Sequence, residues 1–496
     1  MTRRRRWAVG WACLLGLWSW AVASAAVSGA SIPRAAIELP AAGGMTYYVG
    51  QGSPAADDSN PGTASRPWKT ISRATQDVAA GDTVIVKAGI YTELVSIRSP
   101  HAGRPGAPIT FRASPGYSVV IDGEKKRSSA FQVNANHICI DGFEIGHTLG
   151  HGILVGWDVT TGQQILNNNI HDCGSNPDTA AVYLTGTHGL VQGNHLHHNA
   201  GDGITFAGRS ISDVTIRDNV IDHNEVDGIK GGGRGLILIE SNVINNMTSG
   251  KNHGDGMQLM GMTGTCVVRS NTVWDCTQCI YCDDYSDPPG SAPWGDVYIY
   301  NNVVYNSDPG PKGIGGFTNG IVTGTRFNST RSMTICNNTL VDLNDGSGGI
   351  AVGVVGTIPY KIGSVRVLNN LFCNSINQTQ VTGLRAQGGT VMMDYNVYHN
   401  RYRTWYLERW VDLDRFRATH GDDERHGLYA ADVGFVKEGR PDPDYHLAGG
   451  SPATGRATPI PAIGGIHFDL DRDGNPRPED GPWDVGAYQR VDRARP

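Results

Sequence analysis

An asparagine phrase recurs nine times along the chain, and it restricts the possible folds more than any other feature. Each phrase is Asn, any one residue, then an apolar residue, at intervals of 23 to 36 residues. That period fits one coil of a β-solenoid. Coils stack about 4.8 Å apart, so asparagines at a bend can donate their amides to the next coil. The asparagines are Asn168, Asn194, Asn219, Asn242, Asn271, Asn302, Asn338, Asn370 and Asn396.

Two other repeat architectures share this period and can be compared with the same pattern. Leucine-rich repeats need several leucines in each turn, which this chain lacks. Helical repeats need apolar residues three and four apart, whereas Val214–Arg217 and Val297–Tyr300 alternate with a period of two. The sequence therefore predicts an all-β chain, a right-handed parallel β-helix (solenoid) with an N-terminal helical cap and a loop-rich C-terminal cap.

The N-terminus has the layout of a secretory signal peptide. Arg3–Arg6 precede the apolar stretch Trp7–Val22 and the small residues Ala23–Ala25. A membrane anchor is the alternative, but no later stretch is long and apolar enough to span a bilayer. We therefore expect residues 1–25 to be a signal peptide, residues 26–44 a linker, and the mature protein to be secreted to the cell exterior or periplasm, without stable membrane insertion and as a monomer.

Net charge limits the possible partners. The formal charge is -6, and removing four arginines with residues 1–25 makes it -6 - 4 = -10. An acidic surface argues against nucleic acid as a ligand. An acidic polymer would have to meet a local cationic site or a bound metal.

Eight cysteines remain after residue 25, and an oxidising compartment permits disulfides between them. Cys276, Cys279 and Cys282 alternate strand faces and lack a partner pair at zinc-finger spacing, which argues against zinc.

The chain divides into three regions after the linker. Residues 45–125 contain the N-terminal cap and first coils, with a short amphipathic helix predicted over Pro67–Ala74 that would plug the open end of the solenoid. Residues 126–400 form the parallel β-helix. Residues 401–496 are the C-terminal segment and cap, because composition changes there and Ser451–Tyr488 is rich in loop residues.

Short motifs mark both ends of the mature chain, namely Tyr47–Val49, Asn60–Thr63, Thr70–Ile71, Ala74, Gly81–Thr83, Gly89–Tyr91, Ser451–Ala453 and Asp484–Tyr488. Together they resemble the ends of secreted right-handed β-helix proteins related to polysaccharide lyases, family 9 pectate lyases in particular. The resemblance spans most of the mature chain and implies the fold and export more specifically than the activity, because β-helices host several chemistries.

A second phrase, Asp-Gly followed by an apolar residue, begins at Asp202, Asp227 and Asp255. In register, these aspartates form a column, and Thr205, Lys230 and Gln258 share one exposed strand face. Carboxylates about 4.8 Å apart repel, which raises their pKa or requires a cation such as Ca²⁺. The alternative is that Asp-Gly makes the turn and the carboxylate caps amides. The candidate calcium ligands are Asp202, Asp227, Asp255, Asp283 and Asp284.

Lys230 is the candidate catalytic residue, although most lysines are simply solvated. It lies between two acidic coils and precedes Gly231–Gly233. Its phrase is similar to Asn-Gly-Phe-Lys-Leu-Gly-Gly of family 9 lyases, which implies that Lys230 is the base and Asp202 lies near the calcium-binding acids. The chain departs from that family in lacking a paired Asp-Asp one coil before the lysine. The candidate substrate-binding residues are Lys251, His253, Arg234, Tyr183 and Gln258.

The chemistry implied is β-elimination on a uronic-acid polymer, helped by a cation that neutralises the substrate carboxylate. The lysine must lose its proton, so we expect its pKa to be lowered. Two alternatives stay open. One is a glycoside hydrolase that uses paired aspartates. The other is a non-catalytic carbohydrate-binding protein whose stacking platforms would be Trp274, Tyr281, Tyr285, Trp294 and Tyr298.

Overall fold

The computed structural model describes most of the chain after residue 42. The predicted signal peptide and nearly all of the linker, residues 26–44, lie outside the described residues. The described ranges are 43–116, 118–156, 160–208, 210–247, 253–283, 294–307, 319–323, 329–343, 350–351, 361–375, 379–380, 390–399, 413–439 and 442–490.

Three long parallel sheets make up a β-helix, and each coil visits the first, second and third sheet in turn. The first sheet contains Thr46–Val49, Thr83–Val86, Ile109–Ala113, Ile138–Asp141, Gln164–Leu166, Leu190–Gln192, Ser212–Arg217, Arg234–Glu240, Thr265–Arg269, Trp294–Tyr300, Ser329–Cys336, Lys361–Leu368 and Thr390–Asp394. The second sheet contains Gly89–Tyr91, Val119–Asp122, Glu144–Gly146, Asn169–His171, His195–His197, Val220–Asp222, Val243–Met247, Thr272–Cys276, Val303–Tyr305, Thr339–Val341, Leu371–Cys373, Val397–His399 and Leu428–Tyr429. The third sheet contains Val95–Arg98, Phe131–Asn134, Ile153–Val155, Ala180–Leu184, Asp202–Phe206, Ile229–Gly231, Met257–Met260, Gln278–Asp283, Asn319–Thr323, Ile350–Ala351 and Thr379–Gln380.

Among the described residues, two helices and one small hairpin accompany the sheets. The helices are Ile71–Ala74 and Leu413–His420, and the antiparallel pair is Phe435–Lys437 with Asp444–Leu447.

The apolar residues of successive coils stack inside the solenoid. In the third sheet Ile204, Ile229, Met257 and Ile280 are register partners in consecutive coils, and all four are fully buried. Their strand neighbours on the opposite face are polar, which is the period-two alternation seen in the sequence. The predicted parallel β-helix is therefore confirmed.

The recurring asparagines form a continuous buried ladder at the bend between the first and second sheets. From Asn168 to Asn396, each side-chain Nδ2 donates to Oδ1 of the next asparagine at 2.9–3.1 Å. Asn242 is typical, since its Nδ2 also donates to the carbonyls of Ile216 and Glu240 at 3.0 and 3.1 Å. The predicted ladder of side-chain amides is therefore present, and its members also donate to main-chain carbonyls at the bend.

A carboxyl group from outside the repeat ends this ladder. Glu424 Oε1 accepts from Asn396 Nδ2 at 2.6 Å and from the Tyr398 hydroxyl at 2.7 Å. Nearby, Leu413 and Phe416 of the second helix join the core of the solenoid. Burial raises the pKa of Glu424 to about 8, because the side chain is removed from water.

Glu424→Gln is expected to flatten the pH dependence of stability. Between the ordinary pKa of 4.5 and about 8, the folded chain keeps a proton that the unfolded chain releases. Stability therefore falls as pH rises through this window, by an amount on the order of 4 kcal/mol for this group. Denaturant unfolding at several pH values from 4 to 9 would measure the difference between variant and wild type. Parallel pH profiles would contradict the assignment.

The N-terminal helix is shorter than the sequence pattern predicted. It begins at Ile71, with Thr70 as its N-cap accepting from the Arg73 amide at 3.1 Å. Trp68 is not helical, because its main chain bridges to Val49 in extended conformation and its side chain is buried. Ile71 and Ala74 are buried against the first coils, as a plug for the open end requires.

The C-terminal tail lies along the coils in addition to following the terminal one. Buried Arg477 donates to Asn301 Oδ1 at 3.2 Å and to the carbonyls of Asp484 and Gly486 at 3.1 and 3.0 Å. The Ala487 amide donates to Thr339 Oγ1 at 3.0 Å. The tail therefore covers side surface of several coils, while the second helix and Glu424 meet the last coil.

Two further expectations concern thiols and membranes. All eight cysteines after residue 25 lie in the described part of the chain, where they are buried and reduced. Neither of the described helices has the length and hydropathy to cross a bilayer.

Candidate active site

Lys230 lies at the centre of an outward-facing column on the third sheet. Its strand, Ile229–Gly231, pairs in register with strands of both neighbouring coils. Thr205 is its partner in the coil before, and Gln258 is its partner in the coil after. The flanking Ile229 and Gly231 are buried while Lys230 is half-buried. The prediction that Thr205, Lys230 and Gln258 share one strand face is therefore confirmed, whereas the expected exposure of all three is wrong for Gln258, which is buried.

The predicted column of aspartates lies beside this face, one acid in each of three consecutive coils. Asp202 Oδ1 accepts the main-chain amide of Asp227 at 3.1 Å. Asp227 Oδ1 accepts the amide of Asp255 at 2.9 Å. The carboxylates therefore do cap main-chain amides, as the turn interpretation proposed, but the amide belongs to the following coil. Each carboxylate thereby holds the main chain of the next aspartate in place along the solenoid axis.

The second oxygen of each carboxylate faces the residue three positions later. Asp202 Oδ2 accepts from the Thr205 hydroxyl at 2.7 Å. Asp227 Oδ2 lies 3.2 Å from Nζ of Lys230. In the third coil, Gln258 Nε2 donates to Asp255 Oδ2 over a long 3.5 Å. Every member of the exposed column is thus held by the aspartate of its own coil.

The acids are buried beneath the groups that solvent can reach. Asp202, Asp227 and Asp255 are 4%, 1% and 0% exposed. The Lys230 side chain remains 30% exposed. A molecule lying on this face would meet the amine and not the carboxylates.

Burial and mutual repulsion shift the protonation of the whole cluster. Burial raises the pKa of Asp202 and of Asp255 to about 7, and it raises the pKa of Asp227 as well. Burial alone would lower the pKa of Lys230, but the charges of Asp202 and Asp227 outweigh it and raise that pKa. The expected lowering of the lysine pKa is therefore wrong for the protein without substrate, because the acids are closer than any cation.

His253 is brought to the edge of the same cluster. Its Nδ1 lies 3.0 Å from Asp255 Oδ1, and its side chain is 49% exposed. The adjoining Asp255 carboxyl raises the pKa of His253. The structure therefore joins His253 and Gln258 to the same buried acid.

Of the other predicted site residues, some lie near the Lys230 column and others do not. Tyr183 is in the same column, two coils earlier. Asp283 is buried and accepts from the Tyr281 hydroxyl at 3.0 Å. Arg234 is exposed on the first sheet, beyond the glycine-rich turn. Lys251 and Asp284 lie outside the described residues.

The glycines after Lys230 have a packing role. A Cβ on Gly232 would lie 1.6 Å from the carbonyl oxygen of Met260 in the next coil. Glycine here permits close approach of two main chains just below the exposed column.

The described residues do not present a ready metal site. Among them, no group of three or more His, Cys, Asp or Glu side chains is arranged to hold an ion. Ca²⁺ takes six to eight oxygen ligands, whereas each acid of the column has an Oδ2 contact inside the site. Oδ1 of Asp202 and of Asp227 also accepts an amide. The three acids of the column do not fit the ion, and calcium remains a prediction that includes Asp284.

Only some of the predicted aromatic platforms can meet a ligand. Trp294 and Tyr298 are each 1% exposed, so both pack within the protein. Trp274 belongs to the second sheet, where its ring stacks on Tyr305 at 5.3 Å. Tyr281 is half-buried and belongs to the Lys230 column. Tyr285 lies outside the described residues.

Comparison with known proteins identifies the family. Residues 47–348 match the model of the "Pel9A-like, right handed beta helix region". The chain belongs to this Pel9A-like family. Lys230 and the aspartate column both lie inside the matched region.

Relatives of this Pel9A-like chain match it over short segments. It is 38% identical over 80 residues to the uncharacterized protein YwoF of Bacillus subtilis, covering 16% of this chain and 17% of that protein. It is 33% identical over 98 residues to pectate lyase PEL9 of Emericella nidulans, covering 20% and 23%. The chain thus spans less than a quarter of either curated relative.

A solved structure supports the fold over a much longer range. XylC, solved as a complex with xylose, aligns over 90% of this chain and 98% of its own, with a TM-score of 0.62 and 13% identity. Similarity at this identity shows the β-helix architecture alone.

Sequence reasoning missed two features of the site, and only the first had a signal in the sequence. Each Asp-Gly phrase carries a polar residue three positions after the aspartate, which is the spacing of the observed contacts. The second feature is His151, whose ring lies 4.9 Å from that of Tyr183. That contact crosses 32 positions of sequence between two coils, so only the register could reveal it.

Proposed function

We propose that this Pel9A-like chain is a polysaccharide lyase that cleaves a uronic-acid-containing polymer by β-elimination, with Lys230 as the base. The observation that carries the proposal is the accessible Lys230 amine, held by Asp227 above a column of buried acids. A strongly perturbed cluster of which Lys230 and His253 reach solvent is typical of a reactive site.

The reaction follows from the acidity of the uronate C5 proton. Lys230 Nζ takes that proton, and the electron pair of the C5–H bond forms a double bond between C4 and C5. The C4–O bond then breaks, and the leaving oxygen is protonated. One product carries an unsaturated sugar, and no water is consumed. Positioning the base and stabilising the charge on the uronate carboxylate supply the rate enhancement.

A lysine can act as a base only after losing its own proton. The nearest acceptor is Asp227 Oδ2, 3.2 Å from Nζ. When substrate covers the exposed part of Lys230, water is excluded and the charged pair becomes costly relative to the neutral pair. Passing the proton to Asp227 then gives a neutral amine facing the sugar.

The relatives support a polysaccharide lyase, but they match only part of the chain. The family model spans residues 47–348, and one curated relative is a pectate lyase. We propose an acidic polysaccharide as the partner, and secretion as the route by which the protein meets it. Calcium, if bound with the substrate, would neutralise the uronate carboxylate, a role that the residues of the acid column do not supply.

A glycoside hydrolase is the second candidate, favoured by one observation. The pKa values of Asp202 and Asp255, both about 7, suit a general acid. A hydrolytic acid must touch the glycosidic oxygen, however, and both carboxyls are buried with main-chain or side-chain partners. The accessible amine therefore makes the lyase the better-supported function. A non-catalytic carbohydrate binder is the third candidate.

The decisive experiment is a polysaccharide panel with two readouts. Polygalacturonate, alginate and glycosaminoglycans are incubated with the protein, with and without chelator. Ultraviolet absorbance of unsaturated uronates and assay of reducing ends are followed together. The lyase is expected to raise both signals in step. Reducing ends without absorbance would favour the hydrolase, and binding without either signal would favour the binder. Loss of activity with chelator would support a cation requirement.

A further inference from the structure

We propose that Tyr183 and Tyr281 are two sugar-stacking platforms that align the polymer along the solenoid axis, one on each side of Lys230. This inference rests on the proposed function, because it assigns the direction and length of the substrate at the same site. It concerns two residues that hold the sugars away from the point of cleavage.

The register places the two tyrosines symmetrically. Tyr183 pairs with Thr205, which pairs with Lys230. Lys230 pairs with Gln258, which pairs with Tyr281. Each tyrosine is therefore two coils from the lysine, on the same outward face. At about 4.8 Å per coil, the two rings are separated by about 19 Å along the axis.

Both rings are supported before any ligand arrives. The Tyr183 ring lies 4.9 Å from the ring of His151 in the preceding coil. The Tyr281 hydroxyl donates to buried Asp283 at 3.0 Å. A tyrosine with few rotatable bonds and a fixed position loses little conformational entropy on binding. Such rings suit the apolar face of a pyranose.

Tyr183 and Tyr281 are more exposed to solvent than the aromatic residues that pack within the protein. Trp294 and Tyr298 are 1% exposed and cannot meet a ligand. Tyr183 and Tyr281 are half-buried, so part of each side chain is exposed to solvent. Between them lie Thr205 and Lys230, which can donate hydrogen bonds to sugar hydroxyls and carboxylates.

The arrangement predicts how activity depends on substrate length. A uronate oligomer that is long enough to run from one ring to the other gains both contacts. A trimer centred on Lys230 reaches neither ring, so it reports on the chemistry at the centre alone. Replacing either tyrosine should therefore lower activity on polymer and leave activity on trimer unchanged.

The test compares Tyr183→Ala, Tyr281→Ala and the corresponding phenylalanine variants on polygalacturonate and on galacturonate trimer. If the wild type cleaves a different uronate polymer of the panel, that polymer and its trimer replace them. Each alanine variant is expected to lower kcat/KM on polymer about tenfold, and each phenylalanine variant to retain it. Activity on trimer should stay unchanged. Tyr429→Ala, at an exposed tyrosine of the last coil, is the matched control.

The outcomes separate this inference from the proposed function. Alanine variants that keep wild-type kcat/KM on polymer, or that lose the same factor on trimer, would overturn the stacking role while leaving the lyase intact. A wild type that forms no unsaturated product from any uronate polymer would overturn both. Thermal melting of each variant checks that the fold is retained, and a phenylalanine variant that matches its alanine counterpart would also count against the platforms.

Discussion

Lys230→Ala is expected to lower kcat/KM for uronate polymer by about 10³-fold, within the range of a lost general base. His253 is the other group of the cluster that solvent reaches, but it is paired with Asp255, which raises its pKa, so it does not take the place of the amine. Removing it also leaves the Asp227 carboxylate buried without its cationic partner. The loss should therefore appear in kcat while the variant melts at a somewhat lower temperature. Initial rates of unsaturated-product formation would measure it.

Two control variants distinguish the role of the Lys230 amine as a base from the effect of its positive charge. Lys230→Arg keeps a cation beside Asp227 but cannot give up its proton, so it should be nearly as inactive as the alanine variant. Lys126→Ala removes an exposed lysine far from the column and should behave as wild type. Full activity in Lys230→Ala would exclude the amine as the base.

The pH profile offers an independent check on the same residue. The pKa of Lys230 is raised above its ordinary value of 10.5 by Asp202 and Asp227. The neutral amine that forms by proton transfer to Asp227 gives a rate that does not change with pH, because the pair keeps the same number of protons. Loss of that proton to solvent adds a component that rises about tenfold for each pH unit below the pKa of Lys230. The rate for wild type should therefore be level near neutral pH and climb in the alkaline range, until the protein unfolds. The residual rate of Lys230→Arg should lack this slope.

Asn242→Ala is expected to lower the free energy of unfolding by about 4 kcal/mol or more. The side chain is fully buried and takes part in five hydrogen bonds. Removing it takes the side-chain acceptor from the Asn219 main-chain amide and one hydrogen bond each from Asn219 Nδ2, Asn271 Oδ1 and the carbonyls of Ile216 and Glu240. Each lost hydrogen bond costs about 1 kcal/mol, and a buried donor left unsatisfied costs about 1–3 kcal/mol.

The matched control for this stability prediction is Asn169→Ala. Asn169 lies next to a ladder asparagine but is only half-buried, and its Oδ1 meets the ring of His197 at 3.0 Å. Its replacement should cost less than about 1 kcal/mol. Denaturant unfolding followed by circular dichroism would compare both variants with wild type. Equal costs at the two positions would contradict the structural role of the ladder.

Sequence was informative wherever a property repeated with the coil. The asparagine phrase predicted both the solenoid and the ladder, because a fixed phrase at each bend is stacked by the sheet hydrogen bonds. The Asp-Gly phrase predicted the acid column and the shared face of Thr205, Lys230 and Gln258 in the same way. These predictions needed only the register, and the alternation of buried and exposed residues supplied it.

Sequence was less informative about properties that depend on depth and on contacts outside the repeat. The direction of the Lys230 pKa shift depends on how deeply Asp202 and Asp227 are buried. The Asp-Gly phrase in the sequence does not reveal the depth of burial. Glu424 meets Asn396 from a segment with no repeat phrase. The start of the first helix was misplaced because the Trp68 main chain pairs with Val49 instead.

The spacing of the asparagines carries one more implication, for how such a protein can be altered. Along the ladder the number of residues per coil varies between 23 and 36, yet the contact between neighbouring amides stays within 2.9–3.1 Å. The contact between ladder asparagines is thus independent of the number of residues that separate them. Changes of length between two of these asparagines should therefore leave the stacking of the coils intact, so that substrate preference and scaffold integrity can change separately.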